Sequence, residues 1–288
     1  ALGLPPLFNT DTGDPGVGHF GLMDYGSNNG RGVIPSIPTP WTRLLMDWSE
    51  SIDNNVSNPQ YFNLNDIYRF DISDNQYFLI ENRSNQFDDG QTIDSIIFNY
   101  NYLCQNLTPD YYANINTNWF DGLISANNEY DIFEFSEPDS VIINVTDYDL
   151  SLPGSGFLIW HINEPVSDLN SGINNDSSNR AVHIEEADGA VDIGFESYAL
   201  FASDNPTNGT KWDFWYLGND AYRYTNGNDE VCFDINNYEI IPEYNYQLIC
   251  EQNGGIWINR VIFDKYSDPN SNLTDGTQSF FSFEILDS

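Results

Sequence analysis

Two continuous apolar runs, Tyr77-Phe78-Leu79-Ile80 and Phe157-Leu158-Ile159-Trp160, constrain this chain more than any other feature. Successive side chains of a strand point to opposite faces, so four apolar residues in a row predict a strand covered on both sides. Two such strands demand packing layers above and below them. A chain of 288 residues can supply them, as one large domain or two small ones. Apolar residues make up 40% and aromatics 15%, which excludes a disordered acidic chain.

The remaining pattern is mostly strand-like. Ile67 to Ile72, Tyr77 to Glu81, Val141 to Val145, Phe157 to Ile162, Val182 to Glu185, Ile256 to Phe263 and Phe280 to Ile285 are short, β-branched or aromatic, and bounded by turn formers. One helix is signalled by Thr39-Pro40-Trp41, with Thr39 as N-cap and Pro40 in the first turn, running to about Trp48. Ala1-Leu2-Gly3-Leu4-Pro5 reads as a helix end, with Gly3 suited to a left-handed cap and Pro5 unable to continue. The fold class is therefore α+β, strand-dominated, with a few short helices. Residues 1–50 form a leading segment of loop, turn and helix, and 51–288 a β-rich remainder. Segments near 84–140 and 205–255 look inserted. The aromatics of the second, including Trp212, Phe214, Trp215, Tyr222 and Tyr224, suit a small satellite core, or a binding face if exposed.

There are 44 acidic and 9 basic side chains, a formal charge of -35. Such a surface repels nucleic acid and anionic membranes, whose phosphates need Lys or Arg. It suits calcium, cationic partners or plain solubility. No stretch approaches the roughly 18 apolar residues of a bilayer span. No signal peptide is visible, and the chain does not begin with Met, so residue 1 is not expected to be the start of the gene product. Cys232 and Cys250 flank one loop-like segment and can pair in an exported protein, leaving Cys104; no CxxC or Cys/His cluster exists for a zinc ribbon. Glu185 and Glu186 are strand neighbours pointing to opposite faces, which discounts a glycosidase carboxylate pair.

Four pieces occur in an order that resembles the immune-inhibitor-A-like (M6) secreted metallopeptidases. They are Leu2-Gly3-Leu4-Pro5-Pro6-Leu7-Phe8; Gly18-His19-Phe20-Gly21-Leu22-Met23-Asp24-Tyr25-Gly26-Ser27; Pro40-Trp41-Thr42-Arg43-Leu44-Leu45-Met46-Asp47-Trp48; and a split piece. The split piece is Tyr77-Phe78-Leu79-Ile80-Glu81-Asn82-Arg83, then Gly154 to Glu164 around Trp160-His161, then Glu186-Ala187-Asp188-Gly189. Together they cover about half of the chain. The resemblance implies the C-terminal part of a zincin-like domain. Ala1 would follow the second zinc histidine, and an N-terminal half carrying the HExxH helix would precede it. Zinc chemistry of that type needs two His one helical turn apart with a Glu between as general base. This chain has only His19, His161 and His183, and no HExxH.

Within that resemblance, Pro6 stands where a third zinc ligand is expected, and proline cannot bind metal. His19, Asp11 or Asp14 in the next loop are the substitutes, His19 and Asp11 foremost, and Met23 would support the site from below. Trp160 and His161 read as structural. Glu164, Glu186, Asp188 and Asp192 are the candidate ligands of a calcium ion, because calcium takes about six to eight oxygens from acidic, Gly-containing loops. The expected function is the C-terminal part of a secreted, extracellular zinc endopeptidase acting on protein substrates, the chain itself not catalytic. Two alternatives stand beside it. One is a self-associating surface, matrix or filament protein on that scaffold. The other is a glycan- or calcium-dependent adhesion module using Trp212 or Trp215.

Overall fold

The computed structural model describes residues 3–32, 35–53, 62–63, 66–85, 97–99, 140–142, 149, 152–164, 172–195, 207–237 and 239–286. Cys104 and most of the 84–140 segment lie outside them, as does the end of the strand expected at Val141 to Val145. In chain order the elements are α1 (Pro40–Leu45), β1 (Ser51–Asp53), β2 (Ile67–Asp71), β3 (Gln76–Arg83), β4 (Ile97–Asn99), β5 (Ser140–Ile142), β6 (Gly156–Asn163) and β7 (Val182–Ile184). Then follow α2 (Asp220–Asn226), β8 (Glu230–Asp234), β9 (Glu239–Ile240), α3 (Gln247–Gln252), β10 (Ile256–Asn259), β11 (Val261–Phe263) and β12 (Phe283–Ile285). The architecture is mixed α and β, strand-dominated, with short helices and open sheets.

The main sheet has the order β1-β2-β3-β6-β7. β1 and β2 are parallel and the other pairs antiparallel. Its centre is the pairing of the two apolar runs, from Gln76↔Asn163 to Arg83↔Gly156. Burial on both faces is borne out residue by residue. Tyr77, Leu79, Leu158, Trp160 and Ile162 pack on one face with Leu7, Val17, Phe20 and Trp41. Phe78, Ile80 and Ile159 pack on the other with Trp215, Phe263 and Ile285. Each large side chain removed from water this way contributes roughly 1.5–3 kcal/mol. The leading segment thus lies on the same core as the β-rich remainder.

Helix α1 begins as its sequence signals, with Thr39 Oγ1 accepting the Thr42 N–H and Pro40 in the first turn. It is shorter than expected. Asp47 takes φ 54°, and the N–H groups of Asp47 and Trp48 fold back to the carbonyls of Leu44 and Arg43, closing the helix end. The strand expected over Ile256 to Phe263 is two strands in different sheets. The chain changes partner at Arg260, whose N–H donates to Asp229 O at 2.9 Å and whose guanidinium grips Glu284 at 2.6 and 3.0 Å.

The 205–255 segment carries α2, β8, β9 and α3; β8 and β9 complete a three-stranded sheet with β10 just beyond it, and a Cys232–Cys250 disulfide ties β8 to α3. Its aromatics do not form a satellite core. Trp215 exchanges both backbone hydrogen bonds with Phe157, extending the start of β6, and this places Phe214 in one main core and Trp215 and Tyr222 in the other. Tyr224 is exposed.

The first face of the sheet also holds charge. Glu81 and Arg83 are fully buried, two residues apart on the same side of β3. Glu81 accepts from Arg43 and from Trp160 Nε1 at 3.1 Å. Arg83 meets Asp149 through Nε (2.7 Å) and Nη2, and donates from Nη1 to Phe20 O at 2.9 Å. Two arginines and two carboxylates are thus hydrogen-bonded to one another inside the core.

Two outcomes follow. Arg83→Met removes the guanidinium that bonds Asp149 and lies beside Glu81, and should lower the free energy of urea unfolding by about 3–5 kcal/mol; a change below ~1 kcal/mol would show the set to be energetically idle. Cys232 and Cys250 close a loop with a sequence separation of 18. Replacing both by Ala should lower the hydrogen-exchange protection of amides 230–259 by about 3 kcal/mol, while β3 and β6 keep theirs.

Candidate functional site

The loop before α1 is organised by Asp24. Its Oδ2 accepts the N–H groups of Gly16, Val17 and Gly18 at 2.7–3.0 Å, and its Oδ1 that of Tyr25 at 2.7 Å. Gly18 takes φ 57°, and a Cβ there would lie 2.1 Å from Asn208 O, so only glycine fits. His19 hydrogen-bonds Asn29 Oδ1 through Nδ1 at 2.6 Å, and its own carbonyl accepts from Asn29 Nδ2. Burial pushes its pKa down. Asp11 is exposed at the loop tip, its N–H on Asn9 Oδ1. Met23 is partly buried against the first core face. Among the described residues, neither His19 nor Asp11 belongs to a group of His, Cys, Asp or Glu side chains able to enclose a metal. Zinc chemistry of the expected kind needs two histidines one helical turn apart with a Glu between them, and this chain holds no such set.

The expected calcium ligands divide. Glu186 and Asp188 lie together, joined by Asp213; their carboxylate oxygens are within 4.8 Å of one another. Glu186 is 2% and Asp213 0% exposed. Backbone groups aim them. Glu186 Oε2 accepts the Asp192 N–H at 2.8 Å, and Asp213 Oδ2 accepts the Thr210 N–H at 2.6 Å in a capping box. Asp188 Oδ1 accepts the Ala190 N–H. Asp192 sits at the margin, its Oδ1 bonded by Thr207 Oγ1 at 2.6 Å. Glu164 is elsewhere, accepting the Tyr77 hydroxyl at 2.7 Å.

The cluster is electrostatically unbalanced. Burial first, then repulsion from Asp192 and Asp188, holds Glu186 up to about 8. Burial, with Glu186 and Asp188 beside it, lifts Asp213 well above the carboxylate range, and burial lifts Asp188. The nearby Arg180 directs its guanidinium to the carbonyls of Gly16 and Ile193 instead. An all-oxygen set of crowded, buried carboxylates fits a hard divalent cation such as calcium. Asp213 was missed from sequence; the Thr210-to-Asp213 capping box marks a helix start, and nothing local ties it to residue 186.

A second group lies across the strand. His161 and His183 are directly opposed on β6 and β7, with ring centroids 4.9 Å apart. Glu185 Oε1 is 2.8 Å from His161 Nδ1 and 3.3 Å from His183 Nε2. Burial alone would raise Glu185, but hydrogen bonding to His161 and His183 holds it down to about 2. His161 is buried and lowered by desolvation. Its ring packs against Phe78 at a tilt of 58°, and it also belongs to a polar cluster that the sequence reading did not assemble. The signal was present: His183 and Glu185, two residues apart, share a strand face.

Trp215 is fully buried and donates Nε1–H to Glu185 O at 2.8 Å, so it cannot stack on a glycan; this removes one of the two tryptophans that the adhesion reading relied on. Trp212 is half-buried, with the Lys211 ammonium 4.5 Å over its ring. Among the described residues, no helix is long and apolar enough to cross a membrane. Compared with known proteins, the chain matches no family model, no curated protein and no solved structure.

Proposed function

We propose that this chain is the C-terminal part of a secreted, M6-like zinc endopeptidase with a zincin-like domain. In this reading the chain is a non-catalytic scaffold: it carries calcium at Glu186, Asp188 and Asp213, and forms the floor beneath a zinc helix that lies outside it. One observation carries the reading. The separate sequence pieces that resemble the family meet in one buried set. Phe20 O from the second piece, Arg43 from the third, and Glu81, Arg83 and Trp160 from the split piece are bonded to one another. Leu7 of the first piece packs against the same core. The bonded residues lie between positions 20 and 160 of the sequence, and the buried set they form supports reading the separate pieces as parts of one domain. The calcium part rests on the three crowded carboxylates, none of which forms an ion pair among the described residues.

The endopeptidase reading is tested on a longer protein that includes the residues upstream of Ala1. It should hold about one zinc and cleave a denatured protein substrate in a chelator-sensitive way, while the 288-residue chain alone does neither. A longer form that binds no zinc and leaves the substrate intact would overturn it.

Calcium is tested on the chain itself by thermal unfolding. At about 100 times its dissociation constant, calcium should stabilise the wild type by about 2.7 kcal/mol. Asp213→Asn should behave in the opposite way in two respects. Asp213 carries a raised pKa in the folded state, so its ionisation destabilises the cation-free protein at neutral pH, where the unfolded chain is already ionised. Removing the charge should raise the cation-free midpoint and abolish the calcium response. A response of undiminished size in Asp213→Asn would exclude this cluster as the site.

A further inference from the structure

We propose that His161, His183 and Glu185 form a binding site for a divalent transition-metal ion of the zinc class, oriented by Gln76 and open on one side to a cavity. It is separate from the oxygen cluster and does not depend on the endopeptidase reading.

The backbone places the three donors on one face. His161 and His183 are register partners on antiparallel strands, and Glu185 lies two residues beyond His183. Nitrogen and carboxylate donor atoms of all three lie within 4.8 Å of one another. A small rearrangement of Glu185 would bring them to the roughly 2.0–2.2 Å bonds that zinc makes with imidazole and carboxylate.

Proton accounting supplies the second argument. The Thr274 N–H donates to the Gln76 side chain at 3.0 Å. A backbone N–H can only donate, so the Gln76 atom facing it is the amide oxygen. His161 Nε2 lies 2.9 Å from that same oxygen and must therefore carry the proton. In a neutral imidazole, Nδ1 then presents a lone pair, and Nδ1 is 2.8 Å from the Glu185 carboxylate. Two acceptors face each other at hydrogen-bond distance, and a positive centre belongs between them. A proton would satisfy only this pair. A metal ion would take the lone pairs of both rings and the carboxylate together.

The surroundings are those of a metal-binding histidine. Such a ring characteristically gives its second N–H to a fixed oxygen, which sets its tautomer and orientation. Gln76 Oε1 does this here and is itself held by the N–H and hydroxyl of Thr274. The His161 ring is also packed on Phe78, with centroids 4.8 Å apart. A cavity of about 340 Å³ opens beside His161, His183 and Glu185. Asn272 lines it, and the Asn272 Oδ1 is a buried oxygen with no hydrogen-bond partner among the described residues. Three protein ligands with a polar space alongside match a site that keeps one position for water or a small ligand. Two imidazoles and one carboxylate select zinc, cobalt or nickel over calcium, whereas the all-oxygen cluster does the reverse.

Cobalt(II) is the probe. The 288-residue chain, stripped by chelator and held in excess calcium to occupy the oxygen cluster, is titrated with cobalt and followed by visible absorption and calorimetry. About one equivalent should bind with d–d bands of a low-coordinate site, and zinc should displace it. His183→Ala changes a partly exposed side chain and should weaken binding by about 100-fold or more with an unchanged circular dichroism spectrum. Gln76→Ala, which removes only the oxygen behind His161, should weaken it by about tenfold. His19→Gln should leave it unaltered. Failure of the wild type to bind cobalt overturns the proposal. So does equal binding by His183→Ala, or loss of binding in His19→Gln. An imidazolium signal from His161 in the stripped chain that persists unchanged with cobalt present would assign the gap to a proton and overturn it as well.

Discussion

Arg83 is fully buried at the end of β3, and its guanidinium reaches two other parts of the chain. It takes Asp149 with two of its nitrogens, the Phe20 carbonyl with a third, and sits beside Glu81, which in turn holds Arg43 and Trp160. The rest of the fold depends on this set because it couples register to charge. A one-residue slip of β3 against β6 would carry Glu81 and Arg83 to the opposite face, away from every partner. The apolar runs alone do not prevent that slip, since they are apolar on both faces. Buried ions add little net stability when paired, but they penalise every arrangement that leaves them unpaired. Here that penalty selects one alignment and draws the loop around Phe20 and the helix α1 onto the sheet.

The parts of this architecture legible in sequence are those where one local pattern had one physical reading. The two continuous runs are strands buried on both faces, and Thr39-Pro40 opens a helix by its own cap. The parts that were not legible are set by distant contacts. Nothing around Arg260 announces that the chain leaves one sheet for another; Asp229 and Glu284 decide it. Helices α2 and α3 are too short to display a 3.6-residue period, and they lie in a segment read as an insertion. The acidic loop at Glu186-Ala187-Asp188 was visible as a potential cation site, but Asp213 enters it only through the packing of the capped turn at Thr210.

Charge explains why such clusters matter in this chain. With 9 basic side chains against 44 acidic ones, each cation has many potential partners. Arg43, Arg83 and Arg180 are all buried, and Arg180 is directed at main-chain carbonyls. Among the described residues, no guanidinium or ammonium hydrogen-bonds Glu186, Asp188 or Asp213, although Arg180 lies near Glu186. In a protein this acidic, the available counter-charge for buried carboxylates is a proton or an ion from solution. Burial and crowding raise their affinity for both.

Strand alternation then separates two kinds of site within a few residues. His183 and Glu185 point to the side of β7 shared with His161, while Ile184 points into the first core and Glu186 turns toward Asp213. Consecutive carboxylates at 185 and 186 therefore end in different chemistry. One meets two imidazoles, whose hydrogen bonds hold its pKa down; the other is pushed up by burial and by repulsion from neighbouring carboxylates. A hard ion gains nothing from imidazole, and a borderline ion gains more from it than from carboxylates alone. Occupation of one cluster leaves the donors of the other intact. In the two proposed sites, ions of different class would be held within one short segment without competing, and strand alternation is what would keep them apart.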